Sequence, residues 1–389
     1  MESDWELVNQ KVHVLVVLDY INHNSGVSSV VMNYYSNIDK LKVQMDFLLY
    51  EKPEEEFLSE LSKNGSKIFA LGHPVSFGLK NYHNVVDKFF DKHQGEYSVV
   101  HVHIPNAAFV VLRCAKKYGV KTRIIHSHNS RGADGCIKKV RNFILNKIGV
   151  FYANQYFACS KSAGEFLFGK NKLDKVTVIH NAIDLKKFAF DSEHRNRIRR
   201  ELGIGDELVL GHVGRFSEQK NHRFLIEIAK QLEKRNVDFK MLFLGGGELQ
   251  EQIAAKVKEF NLEKKVIFAG IVNNVKEHMD AMDIFLLPSL YEGLPCVCVE
   301  SQANGLPNML SSNITKEVAL NTAVCFLEII SAEEWADMVL EIYANDNLSI
   351  RRKSGNNRGL ELYDIAIQAK ILEEKYISYG NSSGINVNI

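Results

Sequence analysis

At 389 residues the chain has room for two domains, because a single hydrophobic core seldom serves so long a stretch. Hydrophobic residues at 46% and charged residues at 24% exclude a disordered, collagenous or coiled-coil protein, and a formal net charge of +1 gives no ground for a generic nucleic-acid binder. Six cysteines, far apart except for the C-x-C pair Cys296 and Cys298, form neither a disulfide framework nor a C-x-x-C zinc site and suit small core residues in a reducing compartment. The opening M-E-S-D-W-E-L is acidic where a signal peptide would be basic. The longest uncharged stretch of note, 97–112, is broken by His101, His103, Pro105 and Asn106 and falls short of a membrane span. A cytosolic chain is expected.

Apolar runs of strand length occur at 12–18, 45–50, 67–71, 98–104 and 123–128, with helical segments between most of them. Continuous β-branched runs separated by helices predict parallel sheets covered on both faces, the doubly wound α/β arrangement. The pattern restarts after a polar, basic stretch at 186–200, with strands expected at 207–213, 239–244, 265–269 and 283–288. Phe224, Leu225, Ile228, Ala229 and Leu232 share one helix face between the first two of these, and another helix begins near Leu249. The domain junction is placed at the polar stretch, giving domains at 1–190 and 191–360. In open sheets of this kind ligands bind beyond the carboxyl ends of the strands, so residues just after strands are the ones to inspect.

Two such segments carry chemistry. G-H-V-G-R-F-S-E-Q-K-N ends a strand with Gly214 and sets Arg215 and Lys220 before a helix whose expected cap is Asn221. A helix N-terminus with one forked and one point cation suits a pyrophosphate, although two surface cations on a solvated turn read the same way. P-S-L-Y-E-G-L-P-C-V-C-V-E holds Glu292 and Glu300. If Gly293 to Pro295 open a helix, the first carboxylate sits at its mouth and the second about two turns along, where ionised oxygens can accept from sugar or ribose hydroxyls. A capping glutamate and an exposed helical one remain the plainer account of that pair.

Two further patterns stand out. His101 with His103, and His126 with His128, alternate so that each pair faces one side of its strand, and four imidazoles suit zinc; no acidic residue lies near in sequence to orient them. Segment 113–147 carries ten Lys or Arg against the single acid Asp134, and in it and just beyond Ile137, Val140, Ile144, Ile148 and Phe151 recur at helical spacing beside Lys138, Lys139, Arg141 and Lys147. That is a basic amphipathic helix, suited either to an anionic membrane surface or to packing on a sheet.

Taken together, the segment from Gly214 to Asn221, the Glu292 and Glu300 spacing, the stretch H-N-A-I-D-L-K-K-F at 180–188 and the closing N-R-G-L-E-L-Y-D-I at 357–365 resemble the retaining glycosyltransferases of family 4. The likeness is greatest to bacterial enzymes that build capsular and exopolysaccharide repeat units. The resemblance implies a GT-B fold: two Rossmann-like doubly wound parallel-sheet domains facing an inter-domain cleft, a C-terminal helix at 361–380 crossing back to the first domain, and a loose tail at 381–389. It implies that Arg215 and Lys220 bind the donor diphosphate and Glu300 the ribose. Glu292 meets the donor sugar, with the Gly293 and Leu294 amides beside it. His128 matches the histidine that approaches the transferred sugar. Gly26 is the surviving glycine of an N-terminal loop in which Ser25 replaces a second one.

The implied substrates are a UDP-sugar and a polyprenyl-diphosphate-linked saccharide, with segment 113–147 on the anionic inner membrane surface and no nucleic acid. No D-x-D metal motif occurs, so Arg215, Lys220 and helix N-termini are expected to stabilise the leaving diphosphate with no metal and no other cofactor. A nucleotide-sugar 2-epimerase and a non-catalytic scaffold share the fold and are the competing functions.

Overall fold

The structure, a computed structural model, describes residues 11–22, 25–129, 136–344 and 359–381, with the backbone alone at 75–77 and 136–138. The chain divides into two compact units, one reaching Asn181 and resuming at Ile365, the other Ala182–Asp364. The division falls at Asn181 rather than at 190, and 361–364 stay with the second unit.

In the first unit, β1 (Val12–Val17), β2 (Val43–Leu49), β3 (Ile68–Ala70), β4 (Val99–Val102), β5 (Thr122–Ser127), β6 (Gln155–Ala158) and β7 (Val176–Val178) form one sheet. Its order is β3-β2-β1-β4-β5-β6-β7, parallel throughout. Between the strands run α1 (Gly26–Asn37), α2 (Glu55–Lys63), α3 (Pro74–Lys92), α4 (Ala108–Lys117), α5 (Cys136–Tyr152) and α6 (Lys161–Phe168).

The second unit begins with α7 (Leu185–Phe188) and α8 (Ser192–Glu201). It continues with β8 (Leu208–Val213), α9 (His222–Lys234), β9 (Phe239–Leu244), α10 (Gln250–Glu259), β10 (Val266–Gly270), α11 (Val275–Ala281) and β11 (Ile284–Leu287). After these come α12 (Cys296–Ala303), β12 (Asn308–Ser311), β13 (Val324–Leu327) and α13 (Ala332–Ala344). Its sheet is parallel in the order β10-β9-β8-β11-β12-β13. The last helix, α14 (Ile365–Asn381), packs in the first unit on α1 and on β1, β2 and β4. No helix among the described residues is long and apolar enough to cross a membrane.

The continuous apolar runs exist because both faces of each sheet are covered. Along β9, Phe239, Met241 and Phe243 enter one core with Leu208, Leu210, Leu225 and Trp335, while Leu242 and Leu244 enter a second core with Val209, Phe285 and Leu287. Both strand orders reverse direction once, between β1 and β4 in one sheet and between β8 and β11 in the other. A crevice at the carboxyl ends opens at each reversal, and this fixes where functional loops sit.

The polar stretch at 186–200 is not a linker. It folds into α7 and α8, and Arg195 and Arg199 are buried. Arg195 donates from Nη1 to the carbonyls of Asp280, Ala281 and Met282 at 3.2, 3.2 and 3.0 Å, and from Nη2 to Asp283 Oδ1 at 2.7 Å. Arg199 donates to the carbonyls of Gly205 and Glu207. Composition misreads the segment because a guanidinium surrounded by acceptors can be buried.

Candidate active site

The second unit gathers the predicted cations and carboxylates at its strand reversal. Gly214 follows β8, and a Cβ there would stand 3.0 Å from His212 Nε2 and 3.1 Å from Lys220 Cδ, so the absence of a side chain leaves a path for the lysine stem. A 3-10 turn at Glu218–Lys220 then leads into α9. Two hydrogen bonds to backbone carbonyls lace this loop to the one after β11: Leu290 N donates to the Gln219 carbonyl at 2.8 Å, and the Gln219 side-chain Nε2 to the Tyr291 carbonyl at 3.0 Å. Across that seam Lys220 Nζ donates to Glu292 Oε1 at 2.7 Å, with side-chain exposures of 16% and 9%. Lys220 and Glu292, 72 positions apart in sequence, are thus a largely desolvated ion pair.

Three expectations change in detail. Asn221 stands at the helix start in a left-handed conformation, φ 54°, and makes no side-chain cap; its amide instead donates to the Pro288 carbonyl at 3.3 Å. It clamps the two loops together, a use open to asparagine because its short polar side chain tolerates that backbone region. Helix α12 begins at Cys296 after Pro295, not at Gly293. Glu300 therefore lies only about 6 Å, little over one turn, along the helix rather than two turns. Gly293 and Leu294 lie buried in the loop before it.

Arg215 is half exposed and pairs with Glu248, Nη2 to Oε2 at 3.1 Å. Burial pushes the Glu300 carboxyl up to about 7, and the Lys187 charge on α7 opposes that shift. Lys187 is set by Asp184, which caps α7 by accepting from the Lys186 and Lys187 amides at 3.0 Å each. Below Lys220, desolvation holds His212 at about 3 and His222 at about 2, so both are neutral. The second ring stacks on Phe216 with centroids 3.9 Å apart.

Sequence reasoning missed the loop after β9. Gly245 and Gly247 have φ of 130° and 153°, and a Cβ on them would lie 2.2 Å from the Gly214 carbonyl oxygen and 2.6 Å from that of Phe216. Only glycine lets this strand end slide against the cation loop. The signal was in plain view, three glycines directly after a strand run.

In the first unit Ser25 caps α1, its hydroxyl accepting from Ser28 N at 3.3 Å, a service that glycine could not perform. Gly26 opens the helix, and nothing lies within 4 Å of where its Cβ would be. His128 follows β5 and is half-buried. The alternation drawn from the sequence does bring His101, His103, His126 and His128 together: the rings of His101 and His103, and those of His126 and His128, stack with centroids 4.1 Å apart. Nitrogens of His101, His103 and His126 lie within 4.8 Å of one another.

The basic segment is less uniform than its charge count. Lys117 is spent on Asp87 at 2.8 Å, and Arg123 on the carbonyls of Tyr152, Val120 and Lys121 at 2.8, 2.7 and 3.1 Å. Ile137 and Lys138 fall among the residues whose side chains are not described, and Arg131 and Asp134 lie outside the described residues. On α5 the apolar stripe does not pack on the sheet: Val140, Phe143, Ile144, Ile148 and Phe151 are 61%, 63%, 51%, 39% and 74% exposed.

Two units of Rossmann order, one carrying two cations and two carboxylates at its topological reversal, define the architecture of a nucleotide-sugar transferase of the GT-B fold. Residues 24–187 match the family model described as Glycosyltransferase Family 4, and 194–358 that described as Glycosyl transferases group 1. Over 340 residues the chain is 35% identical to the putative glycosyltransferase EpsF of Bacillus subtilis, covering 84% of this chain and 86% of EpsF. The chain belongs to the family 4 glycosyltransferases and is a glycosyltransferase of the bacterial exopolysaccharide and capsule type. It is also 24% identical to the Escherichia coli UDP-Gal:alpha-D-GlcNAc-diphosphoundecaprenol alpha-1,3-galactosyltransferase, with coverage of 91% and 94%. The crystal structure of Anabaena Alr3699/HepE in complex with UDP-glucose shares the fold, with TM-score 0.78 at 16% identity, over 94% of this chain and 99% of that one.

Proposed function

We propose that this enzyme transfers a hexose or N-acetylhexosamine, with retention of configuration, from UDP to a polyprenyl-diphosphate-linked saccharide at the cytoplasmic face of the membrane. The observation that carries the reading is the Lys220 and Glu292 pair at the second sheet's reversal, with Arg215 and Glu300 on the same two segments. The name of the Escherichia coli relative gives it a UDP donor and a diphosphoundecaprenol acceptor, which supports both substrate classes here.

In this reading Arg215 and Lys220 hold the diphosphate, Glu300 accepts from the ribose hydroxyls, Glu292 and the Gly293 and Leu294 amides orient the sugar, and His128 meets it. The bond from the anomeric carbon to the β-phosphate oxygen breaks, the bond to the acceptor oxygen forms on the same face, and the β-phosphate oxygen takes the acceptor proton. The charge left on the diphosphate falls on Lys220 and Arg215, with no metal required. Incubation with a panel of UDP- and GDP-sugars and a lipid-linked acceptor, with and without EDTA, tests this. Transfer from one UDP-sugar unaffected by EDTA supports it; loss of transfer on chelation, or turnover with no acceptor, overturns it.

The Glu300 carboxyl gives a pH test. Its acid form persists up to about 7 in the free enzyme, whereas ribose hydroxyls donate best to the ionised form. UDP binding should therefore release a proton near neutrality and tighten as pH rises from about 6 to 8, by up to roughly tenfold per unit on the acid side. Calorimetry in two buffers of different ionisation enthalpy reads the proton, and Glu300→Gln should abolish the slope.

Helix α5 supports the membrane placement. Phe143 and Phe151 project beside Lys139, Arg141 and Lys147, the last lying 5.4 Å from the Phe143 ring centroid. Burying each ring in lipid is worth about 1.5–3 kcal/mol, so Phe143→Ser with Phe151→Ser should lower partition onto phosphatidylglycerol vesicles at least about a hundredfold. Equal sedimentation of both proteins with vesicles would remove α5 from the membrane.

A further inference from the structure

Of the four stacked histidines, the proposed function uses only His128. The array they form is a pair of hydrogen-bonded rows. His101 Nε2 lies 3.1 Å from His126 Nδ1 with the rings 8° from coplanar, and His103 Nδ1 lies 2.8 Å from His128 Nε2. Tyr376 of α14 closes the inner row, its hydroxyl 2.6 Å from His101 Nδ1. His101, His126 and Tyr376 are each 1% exposed, His103 is 9% exposed, and His128 forms the open end. Nitrogens opposed this closely, in the plane of their rings, share one proton per pair.

Proton counting gives the inner row a direction. Burial drops His101 to about 3, His128 to about 4, and His103 and His126 well below the ordinary imidazole value, so each ring is neutral with one N–H. Among the described residues, His126 Nε2 is buried with no partner. If Tyr376 donates to His101 Nδ1, then His101 donates from Nε2 to His126 Nδ1, and one polar atom is orphaned. The reverse direction strands the tyrosine O–H as well as the His126 lone pair, among the described residues. The row therefore runs from Tyr376 through His101 to His126. Stacked on it, the outer row commits the His128 Nε2 and leaves Nδ1 as its ring nitrogen without a hydrogen-bond partner among the described residues.

We infer that Tyr376, His101, His126 and His103 are positioning residues that keep His128 neutral and in one tautomer, so that Nδ1 is always the nitrogen offered to the sugar. Its catalytic consequence rests on the reading of His128 as the group that meets the sugar; the tautomer itself does not. Long-range proton–nitrogen NMR of the full-length protein with nitrogen-labelled histidine distinguishes Nδ1–H from Nε2–H directly.

The wild type should show His128 as a single tautomer. His103→Phe keeps the stack and removes the nitrogen; it should give a mixture of tautomers and lower kcat about tenfold or more with little change in donor KM. An unchanged His128 signature in His103→Phe overturns the inference. Tyr376→Phe removes one oxygen and no packing; it should mix the His101 tautomers, and an unaltered His101 spectrum overturns the inner-row assignment even if His103→Phe does not fold. His128→Ala with undiminished turnover, alongside a tautomer shift in His103→Phe, would remove the sugar contact while leaving the array intact.

Discussion

Replacing Lys220 with alanine is expected to lower turnover at least about a hundredfold, some 2.7–4 kcal/mol of transition-state stabilisation. The size follows from placement. The lysine side chain is 16% exposed, stands beside neutral His212 and His222, and reaches its position along a path that Gly214 keeps open. In the proposed reading, charge that develops on the leaving diphosphate meets a cation little screened by water. In the resting enzyme the same cation is held by Glu292 at 2.7 Å, so donor binding has to share it.

The pair consequently separates two effects. Lys220→Ala should weaken UDP binding and lower kcat. Glu292→Gln should lower kcat comparably while leaving UDP binding unchanged or tighter, because a competitor for the ammonium has gone. The double variant should cost less than the sum, as expected of groups acting as a unit. Titration of UDP into each variant together with single-turnover rates decides the matter: near-wild-type rates in either single variant, or additive losses, would remove the pair from the mechanism.

Most of the fold was written in hydropathy. Strands β1, β2, β4, β5, β8, β9 and β11 are buried on both faces, so each reads as a run of apolar residues bounded by helices. Strands β6, β7, β12 and β13, the last two strands beyond each reversal, escaped: Q-Y-F-A, V-T-V and N-M-L-S mix polar residues into runs of 3 or 4. The site was legible for a related reason. Charged residues in the loops after apolar strands fall where open α/β sheets bind ligands, and Arg215, Lys220 and Glu292 all meet that description.

What the sequence could not show was pairing across distance. Nothing local says that Asn221 reaches Pro288, that Gly247 lies under Phe216, or that Lys187 stands by Glu300; each depends on register between strands tens of residues apart. The histidine alternation was readable, but which nitrogen meets which came only from the registers that set β4 beside β5.

The same limit hid the residue expected to matter most for stability. Arg195→Met should destabilise the second unit by about 3 kcal/mol, the low end for breaking a buried ion pair, because Asp283 keeps Arg199 at 3.3 Å and the Val209 amide at 2.8 Å. Methionine fills the volume of the stem but satisfies none of the three carbonyls at the end of α11, and those carbonyls carry the negative end of that helix's dipole. For a unit of this size the loss corresponds to a fall of roughly 6–12 °C in its thermal midpoint. Arg195→Lys should recover only a fraction, since an ammonium cannot fork between Asp283 and a row of carbonyls. Calorimetry of the full chain reads the shift, and kcat measured well below the transition should stay at the wild-type value. An unchanged midpoint would mean that the α8 network adds nothing beyond the two sheet cores, and a lowered kcat at full folding would make Arg195 part of the site rather than of the scaffold beneath it.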